Sequence, residues 1–209
     1  MRIRKKPNLL PRMERCAALR ELEPERLRGG WLREFAGYDD LFVELGCGKG
    51  LFTASSALKA PNIFFAALER SADAQIVALE RALALGLRNI RFITRDARDA
   101  DLFFGDGEAG RIYINFCDPW PGARRAKRRL TAAGFLDIYR RILRPGGEIH
   151  FKTDDVPLFE FSLRQFESRG FTLSEVTRDL HAEAAVEPMT DYEQKFHSEG
   201  VKICRCVAS

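Results

Sequence analysis

Short apolar runs alternate with segments of helical periodicity along most of this 209-residue chain, and this alternation constrains the fold more than any other feature. The strand-like runs cover residues 41–45, 63–68, 90–94, 111–116, 148–153, 171–176 and 201–207. The helical segments cover residues 51–59, 71–85, 131–143 and 156–168. This order predicts an α/β fold with a mostly parallel seven-stranded sheet and helices on both faces. The last strand is expected to be antiparallel, because no strong helical segment precedes it.

Charged residues are unevenly distributed, although the formal net charge is only +4. Residues 1–33 hold ten basic and four acidic side chains, and residues 111–129 hold six and one. The segments 34–110 and 130–209 are net acidic. Two basic blocks in an acidic background indicate a polyanionic partner, although two solvated faces would give the same pattern. We predict a basic, partly mobile N-terminal arm over 1–33, without a strand, and a folded domain over 34–209.

The composition excludes several classes of protein. No run of eighteen apolar residues is present, which argues against a transmembrane helix, and the basic N-terminus is not followed by the apolar segment of a secretory signal. The five cysteines and three histidines lack the spacing of a disulfide framework or a zinc site. We therefore expect a cytoplasmic protein that binds neither a membrane nor a metal. Its expected oligomeric state is a monomer or a homodimer.

Three glycines, Gly46, Gly48 and Gly50, follow the first predicted strand. Glycine lets the backbone turn tightly and approach a ligand closely, and this loop is the usual ligand site of an open α/β sheet. The third glycine of a dinucleotide fingerprint would stand at Leu51, which disfavours an NAD-dependent reductase. The three glycines are candidate cofactor residues, and a plain tight turn is the alternative.

Carboxylates stand at the ends of four successive predicted strands: Glu44, Glu69, Asp96 and Asp118. An acid at the end of the second strand is placed to accept hydrogen bonds from ribose hydroxyls. Four acids at one edge of a sheet would repel a pyrophosphate and attract a ligand that carries ammonium and sulfonium charges. S-adenosylmethionine is such a ligand, and we predict it as the cofactor.

The second basic block follows the fourth strand in the segment NFCDPWPGARRAKRRLT, residues 115–131. Its candidate RNA-binding residues are Arg124, Arg125, Lys127, Arg128 and Arg129. Such a cluster would bind phosphates with salt-sensitive affinity that depends little on sequence. Trp120 stands between two prolines, and we favour a role as a core anchor over stacking on a base.

Six segments together resemble the bacterial tRNA (guanine-N7-)-methyltransferases, the TrmB family. They are ELGCGKGLF at 44–52, ALER at 67–70, DPWP at 118–121, AKRRLT at 126–131, FKTDD at 151–155 and TDYEQKF at 190–196. DPWP with KRRLT and the late TDYEQKF is highly specific, whereas the glycine loop alone is not. The resemblance covers most of the chain from residue 36 and implies a Rossmann-like class I S-adenosylmethionine-dependent methyltransferase.

The resemblance also implies a reaction and roles for particular residues. Family members transfer a methyl group from S-adenosylmethionine to N7 of guanine 46 in the variable loop of tRNA. The counterparts of the four strand-end acids contact the cofactor, and the counterpart of Asp118 is also catalytic. The implied substrate-binding residues are Asp154, Thr190, Asp191, Tyr192 and Glu193. Two positions depart from the family pattern, since Gly122 replaces a usual lysine and Arg125 a usual histidine.

Other interpretations of these residues remain open. Asp154, next to Asp155, has the position of a helix N-cap ahead of Val156, and Thr190 with Glu193 has the spacing of a capping box. A catalytically silent RNA-binding module on the same fold is one alternative function. A small-molecule methyltransferase is another, although the basic block disfavours it.

Overall fold

The computed structural model describes residues 5–183 and 188–209, so the first four residues of the predicted arm lie outside the described part. Eight strands are present there: β1 (Arg20–Glu21), β2 (Asp40–Leu45), β3 (Ile63–Leu68), β4 (Ile90–Ile93), β5 (Ala109–Asn115), β6 (Leu143–Thr153), β7 (Leu173–Thr177) and β8 (Cys204–Ala208). They form one sheet in the order β1-β4-β3-β2-β5-β6-β8-β7. The pairs from β1 to β6 are parallel, and β8 is antiparallel to both β6 and β7.

Helices cover both faces of the sheet. They are α1 (Leu9–Arg15), α2 (Trp31–Glu34), α3 (Leu51–Lys59), α4 (Ala72–Ala84), α5 (Ala100–Phe103), α6 (Ala133–Ile142), α7 (Val156–Ser168), α8 (Leu180–Glu183) and α9 (Asp191–Ser198). Within the described ranges, no helix is long and apolar enough to cross a membrane.

Alternate residues of the central strands enter two separate apolar cores, because successive side chains of a strand point to opposite faces. Phe64 and Ala66 of β3 pack into the core that contains the buried residues of α6 and α7. Their neighbours Phe65 and Ala67 pack into the core that contains those of α3 and α4. Both faces of β3 are therefore buried, as its continuous apolar run predicts.

The predicted α/β class, the seven predicted strands and the antiparallel last strand are confirmed, but the sheet has one strand more than predicted. The additional strand, β1, lies in the basic N-terminal segment, for which the prediction of no strand was wrong. Arg20 pairs with Phe92 and Glu21 with Ile93. A two-residue strand is too short to show an apolar period, so only its pairing with β4 reveals it.

Strand β2 is the topological switch point, since it lies between β3 and β5. The chain leaves β2 toward one side of the sheet and β5 toward the other. A cleft therefore opens between them at the carboxyl ends of the strands. Gly50 lets α3 begin close to α4, because a Cβ atom there would stand only 2.4 Å from Cβ of Ala78. The glycine loop and the turns after β3, β4 and β5 consequently meet at one edge of the sheet.

Candidate functional site

A cleft of about 280 Å³ lies at this edge of the sheet. It collects side chains or backbone from all four strand-end turns and from α9. The predicted site residues that line it are Gly46, Gly48, Glu69, Asp96, Asp118, Arg128 and Tyr192. Residues far apart in the chain therefore share one concave site of the kind that small ligands occupy.

The glycine loop forms one wall of the cleft. Gly46 and Gly48 have φ angles of +79° and +57°, and a Cβ atom at either would meet nothing within 4 Å. The backbone N–H of Gly48 donates to Glu69 Oε2 at 3.1 Å, and that of Ser71 donates to Oε1 at 2.8 Å. Burial raises the pKa of Glu69 even though these two donors oppose the shift. The glycine loop and Glu69 are thus held together, and open space lies in front of Gly46 and Gly48.

Glu44 lies behind the cleft, where it is 2% exposed. Thr53 Oγ1 donates to one carboxylate oxygen, and Asn115 Nδ2 donates to the other at 3.0 Å. Burial raises the pKa of Glu44 to about 7, against the opposing effects of Thr53, Asn115 and Lys152. Glu44 thus joins β2, α3 and β5. Neither Glu44 nor Gly50, both predicted cofactor residues, is among the residues that line the cleft.

Asp96 and Asp118 differ in their surroundings. Asp96 follows β4 and caps a 3-10 turn, since its Oδ1 accepts from the backbone N–H of Arg98 at 3.0 Å. Asp118 follows β5 with its side chain 64% exposed, and its carboxylate lies 3.7 Å from the Arg70 guanidinium. Asp118 is consequently the more accessible acid for a ligand that enters from outside.

The segment 116–120 has an unusual backbone that turns two aromatic side chains toward the cleft. Phe116 and Trp120 have φ angles of +52° and +42°, which are rare for bulky residues and often mark functional sites. Trp120 lines the cleft, and the Arg128 guanidinium lies 4.9 Å from its ring centroid. The prediction that Trp120 anchors the core was wrong. The flanking prolines indicate a stiff loop, but they do not indicate whether that loop packs into the core or lines a cleft.

Four of the five predicted RNA-binding residues, Arg124, Arg125, Lys127 and Arg128, are exposed. Arg129 differs. Its Nε and Nη2 donate to the carbonyl oxygens of Pro119 and Trp120 at 2.9 and 3.3 Å, and its guanidinium lies over the Phe161 ring. Arg129 therefore holds the Trp120 loop, while its four neighbours present charge to solvent.

Three predicted substrate residues at the start of α9 are engaged in contacts within the protein. Thr190 and Glu193 form a complete capping box, which confirms the alternative interpretation of that spacing. Glu193 is 1% exposed and lies 3.3 Å from Lys152 Nζ, whereas Asp191 pairs with Arg81 at 3.0 Å. Tyr192 is the α9 residue that lines the cleft, and its ring stacks on Phe116 at a centroid distance of 6.4 Å.

Asp154 is exposed at the end of β6, and the helix cap that follows belongs to its neighbour. Asp155 Oδ1 accepts from the backbone N–H of Leu158 at 2.7 Å and begins α7. The alternative interpretation of Asp154 as the cap is therefore wrong, and its carboxylate faces solvent at the same edge of the sheet as the cleft.

Comparisons with known proteins agree with this geometry. A family model described as a putative methyltransferase matches residues 39–206. The tRNA (guanine-N(7)-)-methyltransferase of Geobacillus kaustophilus is 41% identical to this chain over 210 residues, which cover 100% of this chain and 96% of the relative. The enzyme of that name from Brevibacillus brevis is 43% identical, with 92% of this chain and 94% of the relative covered. The chain belongs to the tRNA (guanine-N(7)-)-methyltransferase family.

The fold agrees with this membership. A crystal structure of the 16S rRNA methyltransferase KamB superposes with a TM-score of 0.64 at 16% identity, covering 86% of this chain and 92% of KamB. The predicted class I methyltransferase fold is thereby confirmed. Family membership confirms the predicted enzyme class, and with it S-adenosylmethionine as the cofactor.

Sequence reasoning missed the residues that support the site from behind. Asn115 binds Glu44, Lys152 pairs with Glu193, and Arg81 pairs with Asp191. Lys152 lies within FKTDD, one of the six segments of the family resemblance, and this is the signal that could have identified it. No group of three His, Cys, Asp or Glu side chains in ranges 5–183 and 188–209 is arranged to hold a metal ion.

The raised pKa of Glu44 predicts how stability depends on pH. The unfolded chain releases this proton near pH 4.5, whereas the folded chain holds it until about pH 7. The contribution of the Glu44 proton to the free energy of unfolding is therefore complete below pH 4.5. As the pH rises toward 7, the free energy of unfolding falls by about 3 kcal/mol. Urea denaturation from pH 4.5 to 8 should show that Glu44→Gln lacks this loss. The exposed Glu167→Gln should keep it, and the same decline in both variants would contradict the assignment.

Proposed function

We propose that this chain transfers the methyl group of S-adenosylmethionine to N7 of guanine 46 in the tRNA variable loop. One observation carries the proposal: a single cleft combines a glycine loop and acidic strand ends with arginine and aromatic side chains. The acidic part suits a cationic cofactor, and the basic and aromatic part suits a nucleotide. The cytoplasmic location and the monomeric or homodimeric state remain predictions.

The open space in front of Gly46 and Gly48 fits a bound cofactor, since any side chain there would fill it. These glycines, Glu69 and Asp96 would hold S-adenosylmethionine, which supplies an electrophilic methyl group when bound. Each Glu69 oxygen accepts one backbone N–H and has a second lone pair for a ribose hydroxyl. Glu44 supports this wall from behind through Thr53, without lining it.

The chain's task toward guanine is to orient it. N7 carries an in-plane lone pair at neutral pH, so no proton has to be removed before methyl transfer. Rate enhancement then comes from positioning and from carboxylates that stabilise the positive charge developing on the purine. Asp118 lies in the cleft with an exposed carboxylate, and Asp154 is exposed at the end of β6. The rings of Tyr192 and Trp120 in the same cleft are available to stack on the base.

Positive charge surrounds the acidic part of the cleft. Arg70, Arg95, Arg98 and Arg128 line it, and the exposed Arg124, Arg125 and Lys127 extend the charge beyond Arg128. Phosphate contacts from these side chains would position the tRNA with little dependence on its sequence. The same cluster supplies charge where Gly122 replaces the usual family lysine.

The proposed reaction is tested with radiolabelled S-adenosylmethionine and unmodified tRNA, followed by mapping of the modified nucleotide. We expect N7-methylguanosine at position 46, and no label in a tRNA with adenine at that position. Binding of cofactor and tRNA without transfer would favour a silent RNA-binding module. Transfer to a small molecule in place of tRNA would likewise overturn the proposal.

Asp118→Asn tests the proposed role of the exposed carboxylate. Because it removes charge but keeps the shape, we expect kcat to fall by about 100-fold, the loss typical of one electrostatic contact, while tRNA affinity stays within about twofold. Single-turnover kinetics and filter binding measure the two quantities. The exposed Asp137 of α6, which pairs with Arg169 at the end of α7, supplies the control Asp137→Asn. Wild-type kcat in Asp118→Asn would contradict the assignment.

Arg125→Ala tests the basic cluster. Loss of one phosphate contact should weaken tRNA binding and lower the slope of log affinity against log salt by about 1, with kcat unchanged at saturating tRNA. Arg164→Ala removes an equally exposed arginine from α7 and should leave the slope unchanged. Identical slopes for wild type and Arg125→Ala would show that this arginine does not contact phosphate.

A further inference from the structure

Two acidic side chains in the first turn of α9 bind basic residues elsewhere in the domain. Asp191 binds Arg81 of α4 through both carboxylate oxygens, at 3.0 and 3.1 Å. Glu193, two residues later, lies 3.3 Å from the buried Lys152 Nζ of β6. Tyr192 stands between these anchors and lines the cleft. Its ring position therefore depends on contacts with elements that are remote in sequence.

Arg81 makes a further contact besides its ion pair with Asp191. Its Nη1 also donates to the carbonyl oxygen of Lys49 at 3.1 Å. Lys49 belongs to the glycine loop, directly after Gly48. One guanidinium thus joins the loop assigned to the cofactor and the helix that carries Tyr192.

The contact continues toward the proposed catalytic acid. The Tyr192 ring stacks on Phe116 with an interplanar angle of 24°. Phe116, whose φ angle is +52°, directly precedes Cys117 and Asp118. A shift of α9 would consequently move one side of the cleft relative to the glycine loop.

We infer that Arg81 is a positioning residue that couples the glycine loop to α9 and thereby sets the place of Tyr192 in the cleft. The planar guanidinium is suited to this task, since it binds a carboxylate with two parallel N–H groups and has a donor left for a carbonyl. A lysine at this position would offer a point charge without that geometry. The side chains of the pair are only 27% and 30% exposed, so solvent screens the contact in part.

Kinetics of Arg81→Gln and Asp191→Asn test the coupling. This kinetic test rests on the proposed function, because it measures methyl transfer to tRNA. Each variant should lower kcat by about tenfold through misplacement of reacting groups, with tRNA affinity nearly unchanged. The double variant should lose no more than Arg81→Gln alone, because the contact with Asp191 is already absent once the guanidinium is removed. Arg81→Lys should recover only part of the rate. Losses that multiply in the double variant, or wild-type kcat in both single variants, would overturn the inference.

Hydrogen–deuterium exchange of the ligand-free protein tests the same contact without any reaction. Arg81→Gln should raise exchange of the α9 amides by about fivefold while other helices keep their protection. Arg88→Gln, which alters an exposed arginine just beyond α4, serves as the control in both experiments. Unchanged α9 exchange would overturn the inference even if methyl transfer to tRNA is observed. Faster α9 exchange in a protein without that activity would contradict the proposed function alone.

Discussion

The parallel pairing of β2 with β3 on one side and β5 on the other determines where the functional groups of this protein lie. Parallel strands end at the same edge of a sheet, so their turns must meet there. The chain leaves β2 through a glycine loop and β5 through the Trp120 segment, and the cleft opens between them. Glu44 joins these strands beneath the cleft through its bond to Asn115.

The cleft brings carboxylates and guanidinium groups within a short distance of one another. Glu69 and Asp96 stand at the ends of β3 and β4, and Arg70, Arg98 and Arg128 line the same cleft. Burial beside backbone N–H groups restrains the Glu69 carboxylate, while the arginines remain exposed. The cleft therefore offers groups of both charges, carboxylates for a cationic cofactor and guanidinium groups for a polyanionic substrate. The small net charge of the whole chain conceals this arrangement.

The segment TDYEQKF shows where prediction from sequence reached its limit. Its resemblance to a family implies that four residues bind the substrate, and in the structure three of them cap or anchor α9. Asp191 and Glu193 find partners in α4 and β6, more than 40 positions earlier in the chain. Local spacing correctly indicated the capping box, because that motif involves only residues three apart. The ion pairs could not be predicted, since they depend on how distant elements pack.

The sequence by itself determined the α/β class, seven of the eight described strands, the family and seven of the residues that line the cleft, because apolar periodicity and strand-end residues are local properties. Tertiary structure alone decided that Arg20–Glu21 extend the sheet, that Trp120 lines the cleft and that Glu44 is buried behind it. Each of these outcomes depends on which surfaces come into contact after folding. The identity of a glutamate or a tryptophan in the sequence does not show whether water or packed side chains will surround it.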